Sequence, residues 1–207
     1  MKTKVELVTG FLESGKTTFI NGYLKTDLCK NNKNLVVVFE KGNKKIENLN
    51  FEVLYLKEIK ELENIIKKLE KEKVKKIIIE YNGTESLEKI SDFINSKKFK
   101  ESFQFYGNYF ICNSKNIENY IRNLGEIIVP FIQTSKLIIL NNIENLQEEE
   151  LKRNIKILKE INITAPIVLS KNLSNLEGDL QKSRFFKVSK VEKLLSKLRE
   201  GNKNDRF

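Results

Sequence analysis

The chain has no histidine and no tryptophan, and only two cysteines, two prolines and one methionine. Each scarcity excludes something. Without histidine there is no imidazole to act as a base near neutral pH or to ligate zinc, nickel or cobalt. Cys29 and Cys112 lie far apart and form no CxxC pair, so neither a disulfide framework nor a thiolate metal clip is expected. No apolar run approaches the roughly 20 residues of a membrane helix. The first strand begins near the fourth residue, so no signal peptide is expected ahead of it, and a reducing cytoplasm suits the cysteine usage. With nine glycines and two prolines as punctuation, the loops are expected to be short or built from lysine and asparagine.

What is present is 207 residues at 40% hydrophobic content, enough for one domain with a real core. The formal charge of +10 is nearly all lysine interleaved with glutamate, without the basic and aromatic pattern of an RNA-binding sheet. It reads as solvated helix faces, and no nucleic-acid partner is expected.

The most informative stretch is Gly10-Phe11-Leu12-Glu13-Ser14-Gly15-Lys16-Thr17-Thr18, a GxxxxGK[ST] phosphate-binding loop. It follows an apolar run, Val5 to Val8, and precedes Ile20, Leu24 and Leu28, spaced as one face of a helix. Gly10 and Gly15 permit backbone angles that let the N–H groups of Glu13, Ser14 and their neighbours through Thr18 curl around a phosphate. Lys16 would reach the β- and γ-phosphates, and the Thr17 hydroxyl would ligate magnesium.

Further strands are expected at Leu35–Phe39, Phe51–Leu56, Val74–Glu80, Tyr109–Cys112, Leu137–Leu140, Pro166–Leu169 and, at an edge, Phe185–Val188. Helices are marked by Ile59, Leu62, Ile66 and Leu69; by Leu87, Ile90 and Ile94; by Ile117, Tyr120, Ile121 and Leu124, with a stop or kink at Pro130; by Leu151, Ile155 and Leu158; and by Val191, Leu194, Leu195 and Leu198. This alternation predicts an α/β fold of the P-loop NTPase kind, a mainly parallel sheet with helices on both faces. Residues 1–200 form one domain in this reading and 201–207 a polar tail.

Glu80 ends three isoleucines at a strand's carboxyl end, where nucleotide hydrolases place a metal-holding carboxylate, and Gly83 is spaced to offer its N–H to a γ-phosphate. With these residues the chain resembles the CobW-like GTPases, whose relatives deliver nickel to urease and hydrogenase or assist cobalamin enzymes. That family's loop commonly reads G-F-L-G-[AS]-G-K-T-T, and its E-x-x-G is matched by Glu80 and Gly83. Its N-E-[FY]-G-x-x-G-[IL]-D is matched at Glu40, Gly42 and Ile46, with Glu47 in place of the aspartate. The resemblance covers most of Met1 to about Pro166.

The resemblance implies GTP or GDP with magnesium, the metal held by Thr17, Glu80 and Glu40, with Glu47 positioning or activating water. It also implies a nucleotide-dependent homodimer. The role would be slow GTP hydrolysis as a switch in metal homeostasis or metalloenzyme assistance. Two departures stand out. Where the family carries GCxCC, this chain has Val53-Leu54-Tyr55-Leu56-Lys57-Glu58-Ile59, so a client or partner protein would have to supply the metal ligands. The guanine-reading N-K-x-D falls at Asn141-Asn142-Ile143-Glu144: Asn141 and Glu144 can meet the base, and Asn142 lacks the aliphatic stem that packs on it. GTP is the first expectation and ATP the alternative. A non-hydrolytic regulatory or scaffold subunit is the second reading. A small-molecule kinase is the third, which the scarcity of arginine for a phosphate lid disfavours.

Overall fold

The computed structural model of the chain describes residues 2–29, 33–39, 45–47, 51–71 and 74–186. Glu40, Gly42, Lys187 and Val188, the expected closing helix around 191–198 and the tail 201–207 lie outside them, as does the Ile66 side chain.

Seven strands form one sheet: β1 (Thr3–Thr9), β2 (Asn34–Val38), β3 (Glu52–Tyr55), β4 (Lys76–Glu80), β5 (Phe103–Asn113), β6 (Ser135–Asn141) and β7 (Ile167–Leu169). Their order is β3-β2-β4-β1-β5-β6-β7, and every pairing is parallel. The apolar runs that predict these strands alternate between the two faces, as the two-residue period demands. Val5, Leu7, Val37, Ile77, Ile79, Phe110 and Leu140 join the core under α2 (Ile59–Lys71), α3 (Leu87–Asn95), α4 (Lys97–Ser102), α5 (Ile117–Gln133) and α6 (Glu148–Ile161). Val8, Val36, Ile78, Ile111 and Ile139 join the opposite core under α1 (Lys16–Leu24) and α7 (Leu176–Lys182). Burial on both faces is why the runs are continuous rather than alternating with polar residues. No helix among the described residues is long and apolar enough to cross a membrane.

The structure corrects several local expectations. Helix α1 stops at Leu24, so Leu28 lies in the following turn and not on the helical face. The break in α5 falls at Leu124 (φ −131°, ψ 25°), and the helix runs past Pro130 to Gln133. Phe185 and Phe186 belong to a 3-10 turn, Arg184–Phe186, instead of an edge strand, and Phe186 packs edge-on to Phe19 and Tyr23. Helices α4 and α7 were not expected at all.

Under α1 the core holds an ionic cluster. Glu6 of β1 is fully buried. Its carboxylate accepts hydrogen bonds from the hydroxyls of Tyr23 (2.8 Å) and Tyr109 (3.1 Å). It faces two ammonium groups, Lys76 at 3.2 Å and Lys136 at 3.6 Å. Lys76 also donates to the Tyr23 hydroxyl (2.7 Å), and Lys136 lies over the rings of Tyr106 (3.8 Å) and Tyr109 (4.6 Å). A bulge between β1 and β5 sets up this geometry: Val5 pairs with Phe105 and Glu6 with Gly107, which leaves Tyr106 extra.

A pH dependence follows from this cluster. Burial lowers Lys136 from its ordinary value to about 8, against the opposing pull of Glu6. Between pH 8 and the ordinary lysine range the unfolded chain therefore binds the proton that the folded chain has released, and stability rises with pH. The trend is opposed from about the ordinary thiol range upward, because burial pushes the Cys29 thiol up to about 11 and the Cys112 thiol higher still, and the folded chain then keeps protons that the unfolded one loses. Because these contributions overlap, that of Lys136 is read as a difference: between pH 8 and 9 the denaturant midpoint of the wild type is expected to rise relative to that of Lys136→Met. An identical slope in the variant would show that Lys136 is not its source.

Candidate functional site

The loop after β1 has the conformation its glycines anticipate. Gly10 takes φ 139° and Gly15 φ 99°. At Gly10 a side chain is also excluded by space, since a Cβ would lie 2.0 Å from the Ile111 carbonyl oxygen of β5. Glu13 takes φ 57°, a left-handed conformation that costs a non-glycine residue roughly 1–2 kcal/mol. Helix α1 opens on Gly15 with no side-chain cap and no acidic residue in its first turn. Its N-terminal N–H groups and positive dipole end are thus left for an anion.

Lys16 is buried and bends back over the loop, donating to the carbonyls of Gly10 (3.0 Å) and Phe11 (3.1 Å). Thr17 donates its hydroxyl hydrogen to Glu80 Oε1 at 2.8 Å. Glu80 closes β4, opposite Val8 of β1, and is 3% exposed. A hydroxyl and a carboxylate oxygen at this spacing are hard donors of the kind magnesium takes. Gly83 presses onto the phosphate loop: a Cβ there would lie 2.2 Å from the Gly10 oxygen and 2.8 Å from Phe11 Cα. The β4–α3 turn and the phosphate loop are therefore in direct backbone contact.

Asn141, at the end of β6, is fully buried and donates its amide to the Ser14 carbonyl, bracing the loop from behind. Asn141 Oδ1 and Ser14 Oγ are buried with no hydrogen-bond partner among the described residues. Orphaned polar atoms at a phosphate loop fit a site built for a polar ligand. Thr18 is half-buried in the first turn of α1. Asn142 takes φ 59°, and its carbonyl accepts the Ser114 hydroxyl at 2.8 Å. Glu144 is exposed, its carboxylate accepting the Asn172 amide at 2.7 Å.

The structure thus gathers Gly10, Glu13, Ser14, Gly15, Lys16, Thr17, Thr18, Glu80, Gly83 and Asn141 at the carboxyl ends of β1, β4 and β6, where open parallel sheets bind ligands. Glu47 lies beside α1. The Glu47 backbone N–H donates to Asn21 on the flank of α1 (3.1 Å), and its side chain is exposed. Sequence reasoning missed the β7–α7 turn, Ser170 to Asn175, which reaches this site through Leu173, packed against Gly15. Its signal was available in Ser170-Lys171-Asn172, polar residues leaving the carboxyl end of a parallel strand.

Beside the β4–α3 turn lies a cleft of about 510 Å³, floored by Phe39, Ile59, Tyr81 and Phe93 and rimmed by charged side chains. It adjoins the stretch that stands in place of a cysteine motif. Among the described residues, no group of three or more cysteine, aspartate or glutamate side chains is placed to hold a metal ion.

Comparison with known proteins agrees with this fold. The family described as CobW/HypB/UreG, nucleotide-binding domain, matches residues 52–169. Among curated proteins, no sequence matches the chain. Among solved structures, the zinc-bound YjiA GTPase of E. coli superposes with a TM-score of 0.63 at 19% identity, covering 81% of this chain and 57% of that one. The hydrogenase maturation factor HypB of Archaeoglobus fulgidus gives 0.56 at 16% identity, covering 86% and 89%. HypB of Helicobacter pylori, in complex with nickel, gives 0.56 at 14%, covering 97% and 88%. At these identities the likeness is one of fold. The chain spans little more than half the length of the YjiA structure.

Proposed function

Because the chain belongs to the CobW/HypB/UreG nucleotide-binding domain family, we propose that it binds GTP with magnesium and hydrolyses it slowly, as a switch in metal homeostasis or metalloenzyme assistance. The observation that carries this reading is the Thr17–Glu80 hydrogen bond, which joins the phosphate loop to the carboxyl end of the neighbouring strand. Thr17 Oγ1 and the Glu80 carboxylate would hold magnesium, with Glu40 assigned alongside them; when bound, the metal would neutralise charge on the phosphate oxygens. The loop N–H groups and the first turn of α1 would cradle the phosphates. Lys16 would exchange its bonds to the Gly10 and Phe11 carbonyls for the β- and γ-phosphate oxygens. Gly83, already against Gly10, would carry the presence of the γ-phosphate into the β4–α3 turn.

Residues 1–200 act as one domain in this proposal, with 201–207 a tail, working in the cytoplasm. A second copy across the nucleotide would complete the site, and a client protein would supply the transition-metal ligands that this chain lacks. The Glu47 side chain is exposed and only its backbone N–H is held, by Asn21, which favours one alternative, a nucleotide-binding regulatory or scaffold subunit that does not hydrolyse.

The experiment is a titration of fluorescent GTP analogue and GDP against wild type and Lys16→Ala. Loss of a charge-assisted contact is expected to weaken triphosphate binding by at least about tenfold. Equal affinities would remove the loop from the binding site.

A further inference from the structure

The longer reach of Glu144, compared with the aspartate that reads guanine in related motifs, raises the question of what holds its carboxylate in place. Asn172 answers it. The Asn172 side-chain oxygen is already engaged, accepting from the Ser174 hydroxyl (2.6 Å) and the Asn175 N–H (2.9 Å) at the start of α7. This fixes which way the amide faces. The remaining NH2 end donates to Glu144 Oε2 at 2.7 Å. The two turns are also joined through the backbone, Ile143 N–H to the Ser170 oxygen (3.3 Å) and Glu144 N–H to the Lys171 oxygen (3.1 Å). Leu173 anchors the turn to the phosphate site, sitting so close to Gly15 that a Cβ there would lie 2.4 Å from its Cδ2.

We infer that Asn172 is a specificity-positioning residue, which holds the Glu144 carboxylate so that it accepts the adjacent N1–H and 2-amino hydrogens of guanine. The inference rests on the nucleotide-binding reading above and adds the origin of base choice. One carboxylate oxygen stays with Asn172, leaving the other to accept from the base. Adenine presents a ring-nitrogen lone pair at the corresponding edge, which a carboxylate repels. A polar site left unpaired by the wrong base discriminates far better than an apolar one.

The test is calorimetric titration of GDP, IDP and ADP into wild type, Asn172→Asp and Glu144→Ala, with melting temperatures recorded for each. Asn172→Asp keeps the oxygen that Ser174 and Asn175 need, removes the amide donor and sets a second carboxylate against Glu144. The wild type is expected to prefer GDP to ADP. Asn172→Asp should lower that GDP/ADP ratio by about tenfold, the scale of a lost hydrogen bond to a charged group, with ADP affinity and melting temperature nearly unchanged. IDP, which lacks the 2-amino group, should lose less than GDP. In the Glu144→Ala background the same change should have little further effect. A merely structural role would weaken all three ligands alike, leave the ratio intact and overturn the inference, as would a wild type that binds GDP and ADP equally. Failure to bind any of the three would overturn the nucleotide-binding reading itself, and this inference with it.

Discussion

Replacing Glu80 with glutamine is expected to slow phosphate release by on the order of a hundredfold, within the range lost with one electrostatic stabiliser. The change is nearly isosteric. The amide oxygen of the new side chain could still accept the Thr17 hydroxyl hydrogen that Glu80 Oε1 accepts at 2.8 Å, so the joint between loop and strand survives and only the charge is lost. The melting temperature of the nucleotide-free protein should therefore stay within a few degrees, as it does for site substitutions that open no cavity. The position explains why charge matters there. Glu80 is 3% exposed at the end of a strand whose preceding residues are three isoleucines. A carboxylate so placed is costly unless a cation or a strong donor meets it. If wild type and variant release phosphate equally fast, Glu80 serves the fold alone. If the wild type hydrolyses nothing under any nucleotide or partner condition, the scaffold reading takes precedence.

The second large effect concerns stability. Glu6→Ala is expected to cost about 3–5 kcal/mol, because it leaves Lys76 and Lys136 without their shared counter-charge in the core. It also removes the acceptor of the Tyr23 and Tyr109 hydroxyls. Replacing Glu6, Lys76 and Lys136 together with leucine or methionine should recover most of that loss, since apolar residues of similar volume often match or exceed a buried ion pair. Urea denaturation of the single and triple variants reads both expectations. A loss under about 1 kcal/mol for Glu6→Ala would mean that water reaches the cluster.

The strands and the phosphate loop were legible because their signals are local. Runs such as Leu35 to Val38 and Ile77 to Ile79 carry their own period, and the loop's glycines announce its backbone. Glu6 was not legible. It interrupts the first apolar run, and its partners come from β4 and β6, so nothing near it in sequence says what neutralises it. Helices α4 and α7 escaped because six and seven residues are too few to establish a helical period. Pro130 misled for the opposite reason: it is a strong local signal, yet the break falls at Leu124. In the candidate site, Thr17 and Glu80 are named together by the sequence motifs, and a hydrogen bond joins them in the structure. Asn172 is not so named, because its link to Glu144 spans 28 residues and depends on β6 and β7 lying side by side.

The measurement that bears most directly on this account is a titration of purified protein with GTP and with ATP, with and without magnesium, followed by a phosphate-release assay on the same samples. The account predicts saturable, magnesium-dependent binding of GTP in preference to ATP, followed by slow release of phosphate. Absence of saturable binding to either nucleotide, by protein that still melts cooperatively, would contradict it.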